Sequence, residues 1–152
     1  MMVHPADSKL SCALANATER ALAEAEIRLP TDVLAAIRRA AAVERNEVAR
    51  RELGHILENI ALAEDLQVPI CQDTGVPVVY LTLPPDIGLS PSIFLGVREG
   101  VRRATATIPL RPNVVDPVTR ENTGDNTGAE MPAVHVAPGD RLTVTVLPKG
   151  AG

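Results

Sequence analysis

The stretch PICQDTGVPVVYL, residues 69–81, joins two different hydrophobic patterns. Before it, apolar residues recur at the spacing of an α-helix. After it, residues 76–83 are rich in β-branched side chains, which is typical of a strand. Between the two lie Cys71, Gln72, Asp73 and Thr74, followed by a glycine. The stretch therefore predicts a change from helices to sheet, with a loop that can display polar side chains into a cleft.

Residues 10–66, before this junction, are predicted to be helical. The first apolar stripe runs from Leu10 to Leu22, and the charged residues Glu19, Arg20, Glu24 and Glu26 are predicted mostly on other faces. Leu29 and Pro30 interrupt the pattern. Thr31 or Asp32 is predicted to cap a second helix, and Asn46 to begin a third that runs to about Leu66.

Residues 92–105 are predicted to form a fourth helix, on which Glu99 and Arg103 make an i,i+4 ion pair. Three prolines make IPLRPNVVDPV, residues 108–118, extended and mostly unable to enter a central strand. Residues 119–130 form a polar loop, and residues 132–136 and 141–147 are predicted strands. The predicted fold class is α+β: an N-terminal helical region, then a small mixed sheet with one further helix.

The composition indicates one globular domain spanning residues 1–152. Hydrophobic residues make up 45% of the chain, whereas aromatic residues make up 1% and the net charge is −4. Such a chain lacks the basic surface and the stacking side chains that nucleic-acid binding needs, so no nucleic-acid partner is expected. Neither a signal-peptide pattern nor a membrane-spanning apolar run is visible, and we expect a cytoplasmic protein without a membrane partner.

Cys71 is the most informative candidate, since the sequence lacks a P-loop, a dinucleotide fingerprint, HExxH and CxxC. A lone cysteine is often a packed core residue. A nucleophilic role is disfavoured because Cys71 follows the negative end of a helix dipole. A metal or iron–sulfur cluster would supply the missing positive charge. The residues alone leave the packed thiol and the ligand open. His55, on a helix, is predicted to be a packing residue.

The other candidates also have two interpretations. Asp73 and Gln72 could shape the loop as Asx-turn residues, or serve as a carboxylate for proton transfer and an amide that orients a substrate. Arg111, between two prolines, could be a surface residue or a rigid clamp for a carboxylate. NTGDNTG, residues 122–128, could be a polar turn or an anion-binding nest.

Six motifs occur in a fixed order along the chain: PICQDTG, GVRRAT, PLRPNVVDP, NTGDNT, PGD and PKGAG. In this order they resemble the iron–sulfur class I fumarate hydratases and the α subunit of L-tartrate dehydratase, over about residues 10–152. The resemblance implies a hydro-lyase that adds water to, or removes it from, a small dicarboxylic 2-hydroxy acid. It also implies a [4Fe–4S] cluster held by three cysteines, of which Cys71 would be the first.

By the same resemblance, Gln72 and Asp73 contact the substrate, with Asp73 in acid–base chemistry, and Arg111 grips a substrate carboxylate. Gly152 falls on a glycine-rich turn near the substrate. The family usually runs from NTGDNT straight into a proline and an apolar strand, whereas here residues 128–131 intervene and the strand PAVHV is shorter. The chain also has KGAG where the family prefers three glycines.

In the family the α region continues for a similar length and carries the other two cysteines, and a β region completes the site. This chain is therefore expected to be the N-terminal half of an α region, inactive by itself and assembled in a homo- or hetero-oligomer. The alternatives are a non-catalytic dicarboxylate-binding module and a bare folding unit.

Overall fold

The computed structural model describes residues 5–128 and 130–150, with side chains from residue 8 onward. Three helices come first, then strands and a fourth helix. Their bounds are α1 Pro5–Ile27, α2 Thr31–Val43, α3 Glu47–Leu66, β1 Val76–Leu83, α4 Pro91–Thr107, β2 Ala133–Pro138 and β3 Thr143–Lys149. The predicted α+β class is confirmed, and β1 occupies the predicted residues.

The three strands form one sheet in the order β2-β1-β3. β2 runs parallel to β1 and β3 antiparallel to it, so the sheet is mixed, as predicted. Although β2 and β3 follow each other in the chain, they lie on opposite sides of β1. This arrangement places the end of β3, at Lys149, beside the start of β1, at Val76.

The core lies between one face of the sheet and the helix pair α1 and α4. Side chains from β1 pack there against Leu14 of α1 and against Ile93 and Val97 of α4. A second cluster continues along the same helices around Leu22 and Val101. The helices approach closely because α4 presents Gly96 and Gly100 to α1.

Helix termini confirm one prediction and correct another. Asn46 caps α3, its side-chain oxygen accepting from Val48 N at 3.0 Å and Ala49 N at 3.1 Å. The predicted cap of α2 is wrong: Thr31 is already helical, and Pro30 occupies the cap position without a side-chain hydrogen bond. The backbone oxygen of Pro30 accepts the first hydrogen bond of the helix, from Leu34 N at 3.0 Å.

One predicted surface ion pair is present, and one predicted packing residue is exposed. The Glu99–Arg103 ion pair is present at 2.8 Å, and Arg102 joins it at 2.7 Å. These two guanidinium groups hold the pKa of Glu99 at about 2. The packing role predicted for His55 is wrong, because its side chain is 59% exposed and lies beside Glu52. None of the helices in the described part of the chain combines the length and the apolar character needed to cross a membrane.

Candidate active site

The loop that carries Cys71 begins with a residue held on both of its backbone groups. Ile70 N donates to Glu26 O, in the last turn of α1, at 2.9 Å. Asn59 of α3 donates through Nδ2 to Ile70 O at 2.8 Å. Two separate helices therefore fix the backbone immediately before Cys71.

The side chains of Cys71, Gln72 and Asp73 are exposed, while Thr74 is only 4% exposed. The interpretation of Cys71 as a packed core residue is therefore wrong. The loop exposes the polar side chains of residues 71–73, as the sequence suggested, whereas Thr74 is buried beneath them.

One carboxylate oxygen of Asp73 shapes the loop and the other does not. Oδ1 accepts a hydrogen bond from Gly75 N at 3.1 Å, the geometry of an Asx turn. Oδ2 lies on the side of Gly150, 3.8 Å from the position that a Cβ would occupy there. Oδ1 of Asp73 therefore shapes the loop as an Asx-turn acceptor, whereas Oδ2 is left for a second partner.

Thr74 fastens this loop to the segment that carries Arg111. Its Oγ1 accepts from Arg111 N at 3.0 Å and donates to Arg111 O at 3.4 Å. Asn113 adds a bond, with Nδ2 donating to Gly75 O at 2.8 Å. Residues 71–75 and 111–113, which are almost forty positions apart in sequence, therefore form one hydrogen-bonded unit.

Asn126 supports this unit from behind and is 1% exposed. Its Oδ1 accepts from Asn113 N at 2.8 Å, and its Nδ2 donates to Arg111 O at 3.0 Å. Sequence reasoning placed Asn126 only in a polar loop. A repeated Asn-Thr-Gly pattern carries no sign of which asparagine is buried, so this role was not visible beforehand.

The rest of the 122–128 loop favours the polar-turn interpretation over the anion nest. Asn122 Oδ1 accepts from Gly124 N at 2.7 Å, and Asp125 Oδ1 accepts from Thr127 N at 3.0 Å. Because side chains of the loop already use these N–H groups, they are not free to bind an anion.

The guanidinium of Arg111 is exposed, whereas its backbone is held by Thr74 and Asn126. It makes no ion pair with any residue in the described ranges. A charged group on a fixed backbone, without a counter-ion among the described residues, is suited to bind a carboxylate from solution.

Gly75 brings the end of β3 against the loop. Its φ is +66°, and a Cβ at this position would overlap the carbonyl of Lys149. Glycine is therefore required for Lys149 and Gly150 to lie beside Asp73. The predicted substrate contact at Gly152 lies outside the described residues.

A further carboxyl group, Glu26, lies behind the loop and was missed in the sequence. It is 7% exposed, contrary to the prediction that places it on an outward face of α1. Its position four residues after Leu22 and eight after Thr18, both fully buried, continues the inward stripe and is the signal that could have revealed it. Burial, and secondarily the negative charge of Asp73, raises the pKa of Glu26 to about 7.

This raised pKa predicts a pH-dependent stability. The folded state keeps the proton of Glu26 up to about pH 7, while an ordinary carboxyl loses it near 4.5. The free energy of unfolding is therefore expected to fall as pH rises between these values, by about 1–2 kcal/mol after allowance for water in an open cleft. Urea unfolding of Glu26→Gln should lack this component, and exposed Glu58→Gln should retain it. An unchanged slope in Glu26→Gln would contradict the assignment.

The arrangement has the parts of a small-anion site: a displayed carboxylate, an amide and a thiol on one loop, and a free guanidinium on the segment bonded to it. Such a combination is suited to binding a carboxylate and to holding a proton beside it. Residues 15–152 match the family described as fumarate hydratase (fumerase). The chain belongs to this family, which confirms the resemblance seen in its motifs.

Three relatives illustrate the match. A Methanocaldococcus jannaschii protein assigned as L(+)-tartrate dehydratase subunit alpha is 43% identical over 135 residues, which is 85% of this chain and 47% of that protein. A Geobacillus stearothermophilus protein assigned as fumarate hydratase class I is 36% identical over 86% of this chain and 26% of its own length. The L(+)-tartrate dehydratase subunit alpha of Escherichia coli is 30% identical over 82% and 42%. The chain thus spans less than half of these relatives.

Proposed function

We propose that this chain forms part of the active site of a hydro-lyase acting on a small dicarboxylic acid, fumarate and malate or tartrate and oxaloacetate. The proposal rests on one observation above all: in a member of this family, Thr74 binds both backbone groups of Arg111. That bond ties the backbone of the Arg111 segment to the displayed polar loop, which supports a shared site for the loop and the guanidinium. The reaction is taken from the relatives' names, and the hydrogen-bonded unit of residues 71–75 and 111–113 is the proposed place for it.

Each side chain takes a role that its geometry permits. Arg111 pairs with one substrate carboxylate, and Gln72 orients the substrate through its exposed amide. Removal of water takes a proton from one carbon and the hydroxyl group from its neighbour. Asp73 holds or moves that proton at Oδ2, because Oδ1 is engaged by Gly75 N. A substrate contact at Gly152, which lies outside the described residues, is also part of the proposal.

Cys71 is proposed as one ligand of a [4Fe–4S] cluster. Its thiol is exposed, as a ligand's must be before a cluster binds. The chain has two cysteines, and in the described ranges no group of three His, Cys, Asp or Glu side chains could hold a metal ion. Since such clusters are held by several thiolates, these residues alone do not fit a complete cluster site. The remaining ligands are proposed to come from another part of an α region, with a β subunit or region as partner. A cytoplasmic location stays a prediction.

Anaerobic reconstitution with iron and sulfide tests whether Cys71 needs cluster ligands from another part of the enzyme. The chain alone is expected to lose the broad visible absorption of a [4Fe–4S] cluster after desalting, because one displayed thiolate is too few. The complete enzyme should keep it, and Cys71→Ser should abolish it there. A stable cluster on the chain alone would contradict the missing-ligand argument.

A further inference from the structure

Glu26 has an unusual environment for a carboxyl group. Its Oε1 is buried and finds no hydrogen-bond partner among the described residues. An ionised carboxylate without a partner is costly to bury, so a proton is the simplest neutraliser. If Glu26 served only to fill space in the core, replacing it by glutamine would leave substrate binding at the site unchanged.

Two contacts connect Glu26 with the candidate site. Its backbone oxygen holds Ile70 N at 2.9 Å, one residue before Cys71. Its side chain lines the same open cleft of about 870 Å³ as Cys71 and Asp73. The carboxyl group therefore lies at the inner wall of the loop and is not a remote core residue.

The groups around this cleft leave Glu26 without a cation. The cleft is lined by Glu24 of α1, by Arg28 directly after that helix, and by Cys71 and Asp73 of the loop. Arg28 already binds Glu24 at 2.9 Å and Glu64 of α3 at 2.8 Å. The wall contributed by β3, residues 144–148, carries no titratable side chain.

We propose that Glu26 controls the binding of a dicarboxylate from the wall behind the 70–73 loop. While Glu26 is neutral, Asp73 is the one carboxylate among the described residues lining the cleft that has no cation beside it, because Glu24 is bound by Arg28. This inference rests on the proposed function and adds a residue to it. If Glu26 loses its proton, a second negative charge enters the cleft and repels a doubly charged substrate. Substrate binding, and not the chemical step, is the quantity that Glu26 controls.

The first test needs no enzymatic activity. In the chain labelled with ¹³C at glutamate carboxyl groups, the Glu26 resonance, assigned by its loss in Glu26→Gln, should titrate near pH 7. Asp73→Asn should lower its midpoint by about half a unit or more, since one neighbouring charge is removed. Exposed Asp86→Asn is the control and should leave the midpoint unchanged. A midpoint at the ordinary carboxyl value, or one that ignores Asp73→Asn, would overturn the inference.

The second test uses the complete enzyme. As pH rises from 6 to 8, the wild-type KM for malate or tartrate should increase about fivefold, with kcat less affected. Glu26→Gln should abolish this increase, which a purely structural glutamate would not cause. An identical KM profile in both proteins would overturn the inference while leaving the proposed reaction intact. Absence of any hydro-lyase activity would refute the proposed function, and the NMR result would still decide whether Glu26 and Asp73 are coupled.

Discussion

Replacing Gly100 by alanine is expected to lower the free energy of unfolding by about 3 kcal/mol, and the melting temperature by about 9 °C. A Cβ at Gly100 would lie 2.6 Å from both the carbonyl oxygen of Ala15 and the Cβ of Thr18. These atoms belong to α1, whose backbone cannot move without opening the core. The strain is far larger than the gain of about 1 kcal/mol that alanine normally brings to a helix.

Gly54→Ala is the matched control, because Gly54 is also helical but has no neighbouring atom within 4 Å of the position that a Cβ would occupy. It should raise stability by about 0.5–1 kcal/mol. Thermal and urea unfolding of the two variants should therefore move in opposite directions. Equal or stabilising effects at Gly100 would show that α1 and α4 do not approach as closely as described.

Replacing Asp73 by asparagine is expected to lower kcat of the complete enzyme about 100- to 10,000-fold. Asparagine keeps an oxygen that can accept from Gly75 N, so the Asx turn and the loop conformation should survive. What it removes is the carboxylate at Oδ2, which is proposed to move the proton. This one substitution therefore tests the proton transfer while leaving the fold of the loop intact.

Rates of malate or tartrate dehydration, with circular dichroism as a check on folding, measure this effect. Asp86→Asn, an exposed carboxylate in the turn after β1, should retain wild-type kcat. If Asp73→Asn also retained it, Asp73 would be only a turn residue, and the acid–base role would have to lie elsewhere.

Much of the fold followed from local patterns. The change from helical spacing to a run rich in β-branched residues after PICQDTG located β1 to the residue, because most of that strand is buried and it is bounded by turn residues. The α+β class followed from the order of these elements. The position of β1 between β2 and β3 did not, since pairing partners are decided by long-range packing that no local pattern records.

The candidate site was also predictable from the sequence only in part. Cys71, Gln72, Asp73 and Arg111 stood out because polar residues in a rigid or glycine-bounded segment are unusual. The side chains that hold them, Thr74, Asn113 and Asn126, are ordinary loop residues until the chain folds. Their importance comes from hydrogen bonds between segments distant in sequence, which spacing cannot reveal.

Glu26 shows how a pattern can be misjudged. Its charge suggested an outward face, yet its spacing from Thr18 and Leu22 continues the buried stripe of α1. Periodicity was the better guide, because a carboxyl group can be buried when it carries a proton. A charged residue on an apolar stripe is therefore a candidate for a buried group with a perturbed pKa.

The most direct test of the central claim, that the 71–75 loop and Arg111 form one dicarboxylate site, is the KM of the complete enzyme for malate and tartrate in an Arg111→Ala variant. We predict measurable dehydration by the wild type, and a KM about 100-fold higher in Arg111→Ala through loss of a charge-assisted bidentate contact. Arg98→Ala, on the exposed face of α4, should leave KM unchanged. Dehydration with an unaltered KM in Arg111→Ala would contradict the claim.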